Sequence, residues 1–170
     1  MATSRRQFLR GNFSGRTDAI RPPWALAEEA FVARCTRCAA CIDVCPTHII
    51  VKGRGDYPRI DFARGECTFC GECVDACRDG ALQRSEHRSP WTIKAVLGTT
   101  CLARRDVVCR TCGDACEAQA IRFRPRLGGA SLPELDAQAC TGCGACVALC
   151  PATAITMADS GPATPAPPAV

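Results

Sequence analysis

Large apolar residues are sparse in this chain, and they fall into short groups that recur at regular places. Four polar stretches rich in cysteine are each followed by a small or apolar residue and then an apolar one, at residues 49–50, 81–82, 120–121 and 154–155. This pattern predicts a turn and the start of a short strand after each stretch. Matching short strands are predicted before the second and fourth stretches, at residues 58–61 and 133–136. No apolar run approaches the roughly 18 residues that a membrane span needs, so we expect no integral membrane protein.

The composition indicates that a hydrophobic core alone does not stabilise this protein. Leu, Ile, Val and Phe supply 32 of the 170 residues. Burial of so few large side chains does not offset the entropy of the chain. The formal net charge is only +4 and the cysteines are regularly spaced, which argues against disorder. We therefore expect a fold stabilised by something other than apolar burial, and we exclude a single large enzyme core such as a TIM barrel.

The sixteen cysteines form four tight groups. The groups are Cys35, Cys38, Cys41 and Cys45; Cys67, Cys70, Cys73 and Cys77; Cys101, Cys109, Cys112 and Cys116; and Cys140, Cys143, Cys146 and Cys150. Three of them follow the C-x2-C-x2-C-x3-C spacing that is typical of bacterial ferredoxins with [4Fe–4S] clusters. A disulfide framework scatters its cysteines among loops, and a structural zinc site uses two separated C-x2-C pairs. We predict four clusters, three at minimum, with the cysteines as iron ligands.

The fourth cysteine of each regular group is expected to ligate the other cluster of its pair, as in two-cluster ferredoxins. One cluster is then assigned to Cys35, Cys38, Cys41 and Cys77. Its neighbour is assigned to Cys67, Cys70, Cys73 and Cys45. This exchange of ligands joins both halves of a domain, so folding and cluster binding become one event.

The third group departs from the regular spacing. Asp106 stands where the first cysteine would be, and Cys101 lies eight positions before Cys109. In the first alternative, residues 102–108 loop out, and Cys101 completes a set with Cys109, Cys112 and Cys150. In the others, Asp106 ligates through oxygen or leaves one iron open to solvent, or the group holds no cluster. We favour Cys101, because iron in these clusters prefers soft thiolate.

The repeats predict an α+β fold, a tandem pair of ferredoxin-like 2[4Fe–4S] domains with short hairpins and short helices. The predicted organisation is a flexible Arg-rich arm at 1–30, a first domain at 31–84, a linker at 85–98, a second domain at 99–158 and a disordered tail at 159–170. Arginine supplies 19 of the 21 basic residues. We interpret this excess as compensation for cluster charge rather than as a nucleic-acid footprint.

The remaining residues indicate no catalytic site. The two histidines, His48 and His87, are predicted to be surface or packing residues, and no glycine-rich nucleotide loop follows a strand. Residues 4–9 resemble a twin-arginine export signal, but the apolar region that such a signal needs does not follow. We therefore expect an uncleaved N-terminus and a cytoplasmic protein that is not an enzyme.

The chain resembles the NapF family, the ferredoxin-type accessory proteins of periplasmic nitrate reductase systems. The resemblance rests on residues 4–11, on residues 21–25, on the loop at 67–73 and on the irregular third group. It implies a cytoplasmic partner of the immature catalytic subunit of the nitrate reductase, acting before export in the maturation of that subunit's own iron–sulfur centre. Two alternatives remain open, namely an electron carrier or redox subunit with other redox partners, and an interaction protein whose clusters are structural.

Overall fold

The computed structural model describes residues 19–84 and 89–159, and all its elements are short. The first unit contains the helices α1 (Glu28–Arg34), α2 (Ala40–Asp43) and α3 (Glu72–Asp75) and the strands β1 (Ile50–Lys52) and β2 (Pro58–Ile60). The two strands pair antiparallel, with Ile50 opposite Ile60. The two four-residue helices, α2 and α3, each begin inside a cysteine group, so the groups and the elements alternate along the chain.

The second unit repeats this arrangement with longer strands. Its elements are β3 (Ile93–Leu97), α4 (Thr111–Asp114), β4 (Ile121–Arg126), β5 (Gly129–Leu135), α5 (Ala145–Ala148) and β6 (Ile155–Asp159). The strands β4 and β5 form a hairpin, whereas β3 and β6 pair the beginning of the unit with its end. The α+β fold class is confirmed, and strands begin at Ile50, Ile121 and Ile155 as predicted.

The apolar core is divided into two small clusters of side chains. The larger one surrounds Phe31, Ile49 and Ile50 in the first unit and extends to Ile93 of the second. The smaller one contains Ile121 and Ile155, together with buried cysteines. Cysteines belong to both clusters, so the apolar packing and the cysteine sites share the same interior.

The predicted flexible arm at 1–30 is wrong for its described part, residues 19–30. The side chain of Arg21 is 15% exposed and makes two hydrogen bonds to the carboxylate of Glu28, at 2.6 and 2.9 Å. The guanidinium also lies over the ring of Phe31, 4.9 Å from its centroid. Trp24 is buried, and the next residue, Ala25, forms a β-bridge with Leu82. Residues 1–18 lie outside the described part of the chain.

The described part of the predicted linker at 85–98 contains the strand β3. Composition around residues 85–91 suggests a connection, but β3 is recognisable only through its pairing with β6, more than 50 residues later. Trp91 packs edge-on against Phe62, with ring centroids 5.7 Å apart. This segment therefore belongs to the second unit and to its contact with the first. The predicted tail lies outside the described residues from 160 onward.

Candidate iron–sulfur sites

Left-handed backbone at fixed positions shapes the cysteine loops. In the regular groups, the residue directly after the second cysteine has a positive φ: Ala39 at 66°, Gly71 at 88° and Gly144 at 85°. The same holds for the residue before the second cysteine, where Arg37, Phe69 and Gly142 stand. A left-handed residue turns the chain sharply, so consecutive thiols face one space. The third group lacks this turn at Arg110, whose φ is −128°.

The first cysteine set lines a cavity of about 370 Å³, measured with its opening to solvent. Cys35, Cys38 and Cys41 contribute from one group, and Cys77 contributes from the next. Cys45, the fourth cysteine of the first group, is not among the lining residues of this cavity. The structure thus brings together the four thiols that the sequence analysis assigned to one cluster.

The second set lines a separate cavity of about 340 Å³. Its thiols are those of Cys67, Cys70 and Cys73, with Cys45 from the preceding group. The apolar walls include Ile49 and Ile60. The exchange of the fourth cysteine is therefore reciprocal in the first unit.

The second unit groups its thiols in the same way. The thiols that act electrostatically on Cys112 are those of Cys101, Cys109 and Cys150. Those that act on Cys146 are, in order of effect, Cys143, Cys140, Cys112 and Cys116. With the same exchange of the fourth cysteine as in the first unit, these neighbours are consistent with a third set of Cys101, Cys109, Cys112 and Cys150 and a fourth set of Cys140, Cys143, Cys146 and Cys116.

The two candidates for the irregular position of the third group have different surroundings. Among neighbouring thiols, Cys101 has the largest electrostatic effect on Cys112. Asp106 is exposed, ends the 3₁₀ helix Ala103–Arg105 with a φ of 61°, and forms an ion pair with Arg126. The carboxylate is thus engaged by a cation of the β4–β5 hairpin, which favours Cys101 as the ligand.

Several cysteine thiols have a raised pKa and therefore stay protonated when no metal is near. Burial first, and then repulsion by neighbouring thiolates, raises the pKa of Cys41, Cys73 and Cys146 to about 12. The same causes raise the pKa of Cys67 and Cys112 to about 11. Four thiolates in one partly buried cavity need a cationic centre to balance them, and metal binding then releases the protons.

Hydrogen bonds to sulfur oppose this effect at some positions. Burial raises the pKa of Cys45, but donors from the Thr47 hydroxyl and from the N–H groups of Ile50, Ile49 and Thr47 outweigh it and lower the pKa overall. Backbone N–H groups also donate to Cys116 and Cys150, from Ala120 and Ala154, both at 3.3 Å. Such N–H···S bonds stabilise negative sulfur and tune the potential of an iron–sulfur centre.

The donor chemistry fits [4Fe–4S] clusters better than the alternatives. All sixteen cysteines are free thiols, so none is used in a disulfide. Across residues 19–84 and 89–159, no three His, Cys, Asp or Glu side chains meet closely enough to hold a single metal ion. Tetrahedral zinc would hold its sulfurs about 3.8 Å apart, from Zn–S bonds of about 2.3 Å. Each ligand of a four-iron cluster binds a different iron, so its thiols stand further apart.

Other residues beside these sites were not predicted from the sequence. Thr47 and Thr111 stand two residues after Cys45 and Cys109, with hydroxyl–sulfur distances of 3.6 and 3.7 Å. This shared Cys-x-Thr spacing is a signal that the sequence contains. The indole N–H of Trp91 is buried without a hydrogen-bond partner among the described residues, which only the fold reveals. His48 is exposed, as predicted, and His87 lies outside the described residues.

Known proteins match this chain over most of its length. A 4Fe-4S dicluster domain matches residues 24–82, and another matches residues 107–160. The ferredoxin-type protein NapF of Haemophilus influenzae is 48% identical over 165 residues, which cover 91% of this chain and 93% of that protein. The chain belongs to the NapF family of ferredoxin-type proteins. The Escherichia coli K12 NapF is 45% identical, over 90% of this chain and 93% of its own length.

The NapF family has more distant relatives with the same kind of sequence. The methylamine utilization ferredoxin-type protein MauM of Methylobacillus flagellatus is 33% identical, over 84% of this chain and 68% of that protein. Two dicluster domains imply [4Fe–4S] clusters in this NapF-type chain. A ferredoxin-type iron–sulfur protein points to electron transfer rather than to catalysis.

Proposed function

We propose that this chain holds four [4Fe–4S] clusters and acts as an accessory protein in the maturation of the catalytic subunit of periplasmic nitrate reductase. It binds the immature subunit in the cytoplasm, before export, and takes part in completing that subunit's iron–sulfur centre. The observation that carries the proposal is the similarity to NapF over 91% of the chain, which includes all four cysteine sets. The client follows from the resemblance of this chain to the NapF family, the ferredoxin-type accessory proteins of periplasmic nitrate reductase systems.

The residues present fit four clusters. Each set offers four thiols from two groups of one unit, and thiolate is the ligand that iron–sulfur clusters use. The clusters would supply one-electron redox chemistry. The chain's own residues hold the thiols in place, limit the access of water through apolar walls such as Ile49 and Ile60, and donate hydrogen bonds to sulfur.

A surface beside the third set suits the binding of a partner. Val108 is 82% exposed and Leu127, at the tip of the β4–β5 hairpin, is fully exposed. The arginines of the 3₁₀ helix Ala103–Arg105 are exposed beside them. The 3₁₀ helix and β5 are in contact, so the loop and the hairpin form one surface. Exposed apolar groups with a basic rim fit a partner segment that is itself apolar and acidic.

The test is the capture of the client from the cytoplasm of nitrate-grown cells, with the full chain as bait. We expect this bait to capture the immature nitrate reductase subunit. We also expect nitrate reductase activity to be lost in cells that lack this chain. The double change Val108→Asp and Leu127→Asp should lower the yield of client about tenfold, as for a binding hot spot. Val96→Asp, at an exposed apolar position on β3, is the matched control.

A contrary result favours the second candidate, an electron carrier. A bait that captures no nitrate reductase subunit, but exchanges electrons with several redox proteins, contradicts the maturation role. The sixteen free thiols and the two dicluster domains are equally compatible with such a carrier. Iron content in the client separates the two, because a carrier does not change how much iron the client holds.

Residence in the cytoplasm is tested separately at the N-terminus. Replacing Arg5 and Arg6 with lysine removes the twin-arginine pair, which export by that route requires. We expect the chain to stay in the cytoplasmic fraction with either sequence. Periplasmic protein that disappears on this change would show that the pair is a working export signal.

A further inference from the structure

The loops of the second and fourth cysteine sets touch across the boundary between the two units. The N–H of Cys67 donates a hydrogen bond to the carbonyl oxygen of Cys143, with an N···O distance of 2.8 Å. Within each unit the sets also adjoin, because Cys73 is an electrostatic neighbour of Cys41, and Cys146 of Cys112. The four sets therefore follow one another in the order first, second, fourth and third.

Gly144 makes the close approach of the two units possible. The residue directly precedes α5 in the fourth loop, and a Cβ atom at this position would overlap the ring of Phe62. Phe62 belongs to the first unit and is only 6% exposed. Glycine thus serves two needs here, a φ of 85° and space for an aromatic ring from the other unit.

Trp91 completes the contact from the other side. Its ring meets Phe62 and Phe69 edge-on, with centroids 5.7 and 5.8 Å apart. Phe69 stands between two cysteines of the second set. The indole also lies against Gly142 of the fourth loop, where a Cβ atom would come within 2.8 Å of Nε1. One side chain therefore touches the loops of both cysteine sets.

We propose that Phe62, Trp91 and Gly144 are positioning residues that hold the second and fourth cysteine sets together, so that electrons cross between the units along one row of four clusters. The inference rests on the proposed content of four clusters. Each crossing moves one electron: the donor cluster is oxidised by one electron, the acceptor is reduced by one, and no bond or proton changes place. A one-electron reductant, such as dithionite in the test below, supplies the electron.

The test compares two glycine variants of the full, iron-reconstituted chain. Gly144→Ala places a methyl group into the ring of Phe62 and should separate the units. Gly71→Ala is the matched control, because Gly71 has the same loop position and a φ of 88°. There the nearest atoms to the methyl group belong to the exposed side chain of Arg84, which would leave its contacts with the Cys70 carbonyl oxygen and the Trp24 ring, both within the first unit. Backbone strain is thus equal, and only the first variant affects the contact between the units.

Two measurements read out the contact. In the dithionite-reduced chain, pulsed EPR should show fast spin relaxation from the two middle clusters, each of which has two paramagnetic neighbours. Gly144→Ala should lose this component and Gly71→Ala should keep it. Amide exchange at Cys67 should become about tenfold faster in Gly144→Ala, since the hydrogen bond to Cys143 is lost.

Iron analysis separates the possible failures. If Gly144→Ala lowers the iron content, Phe62→Leu replaces it, because this change removes the ring without adding atoms to a cysteine loop. If variants with full iron content show unchanged spin relaxation and an unchanged amide exchange rate at Cys67, the proposed row of four clusters is wrong. Fewer than four clusters in the original chain would instead contradict the proposed function, and the Cys67 exchange would still report on the contact.

Discussion

At the scale of single residues, the position of each cysteine in its group decides which site it serves. The first three cysteines of a group face one space, whereas the fourth follows a short helix and faces the neighbouring space, as Cys45 and Cys77 do. The sequence spacing predicts this exchange, because it matches the two-cluster ferredoxin run, in which the fourth cysteine ligates the other cluster. Buried thiols of raised pKa then depend on iron to become thiolates together.

Exchange of ligands in the first unit predicts opposite effects for two matched variants. Cys45→Ser should damage the cluster held by Cys67, Cys70 and Cys73, and Cys77→Ser should damage the cluster held by Cys35, Cys38 and Cys41. The affected cluster is identified by spectroscopy of each reconstituted variant. The reference spectra come from Cys38→Ser, which changes a ligand of the first set, and from Cys70→Ser, which changes a ligand of the second set. Damage to the variant's own group in both cases would contradict the exchange.

The irregular third group predicts a different response at two nearby positions. Cys101→Ala should remove one thiolate and lower the iron content from about sixteen toward about twelve atoms per chain, or leave a three-iron cluster visible by EPR. Asp106→Asn retains a residue that tolerates a left-handed backbone and removes only the carboxylate charge. The iron content of this control should stay at about sixteen, and a loss here alone would make Asp106 the ligand.

At the scale of elements, local patterns were predictable and distant pairings were not. The strands after the first, third and fourth cysteine groups and the β2 and β5 segments follow from short apolar groups next to turns. The strand predicted at residues 81–82 is wrong, because Leu82 forms only a single β-bridge with Ala25. The strand β3 was missed because its residues precede the second set of motifs and find their partner only in β6. The docking of residues 19–30 was missed for the same reason, since an Arg-rich, Pro-rich segment gives no local sign that Arg21 binds Glu28.

Because β3 pairs with β6, we predict that removal of one backbone hydrogen bond between these strands destabilises the second unit. Gly98 donates to Ala154, so Val96, two residues earlier, occupies a bonded position of the antiparallel ladder. The side chain of Val96 is 47% exposed, so Val96→Pro removes the N–H with little loss of packing. We expect the unfolding free energy to fall by about 1 kcal/mol or more, since proline removes one ladder hydrogen bond.

The measurement is the release of iron from the second unit under a chelator, followed by EPR. Val96→Thr keeps the N–H and the β-branched side chain, so this control should release iron at the original rate. Equal release from both variants would mean that β3 contributes nothing to the stability of the second unit.

At the scale of the whole molecule, apolar packing is small and the cysteine sites lie inside it. Buried cysteines contribute to both apolar clusters, so the apolar packing is continuous with the cysteine sites. The sequence composition predicted a dependence on these sites, because 32 large apolar residues in 170 leave a weak core. The contact between the units could not be predicted, since Gly144 and Phe62 are 82 positions apart and neither belongs to a recognisable pairing motif.

We therefore predict that removal of iron unfolds the chain rather than opening it locally. Treatment with a ferrous chelator and a reductant should abolish protection of backbone amides in both units, including those of β1 and β4. Readdition of iron and sulfide should restore it. Protected amides in the fully iron-free chain would show that the apolar clusters are sufficient for folding.

The β-bridge between Ala25 and Leu82 has a consequence for how the protein emerges from the ribosome. It joins the two ends of the first unit, just as β3 and β6 join those of the second. Translation therefore delivers every residue of the first unit before the second unit begins, and the nascent first unit can close and take up metal at once. Each unit closes only when its last segment has emerged, so the cysteines of the first unit can be assembled and protected from oxidation while the second unit is still being made.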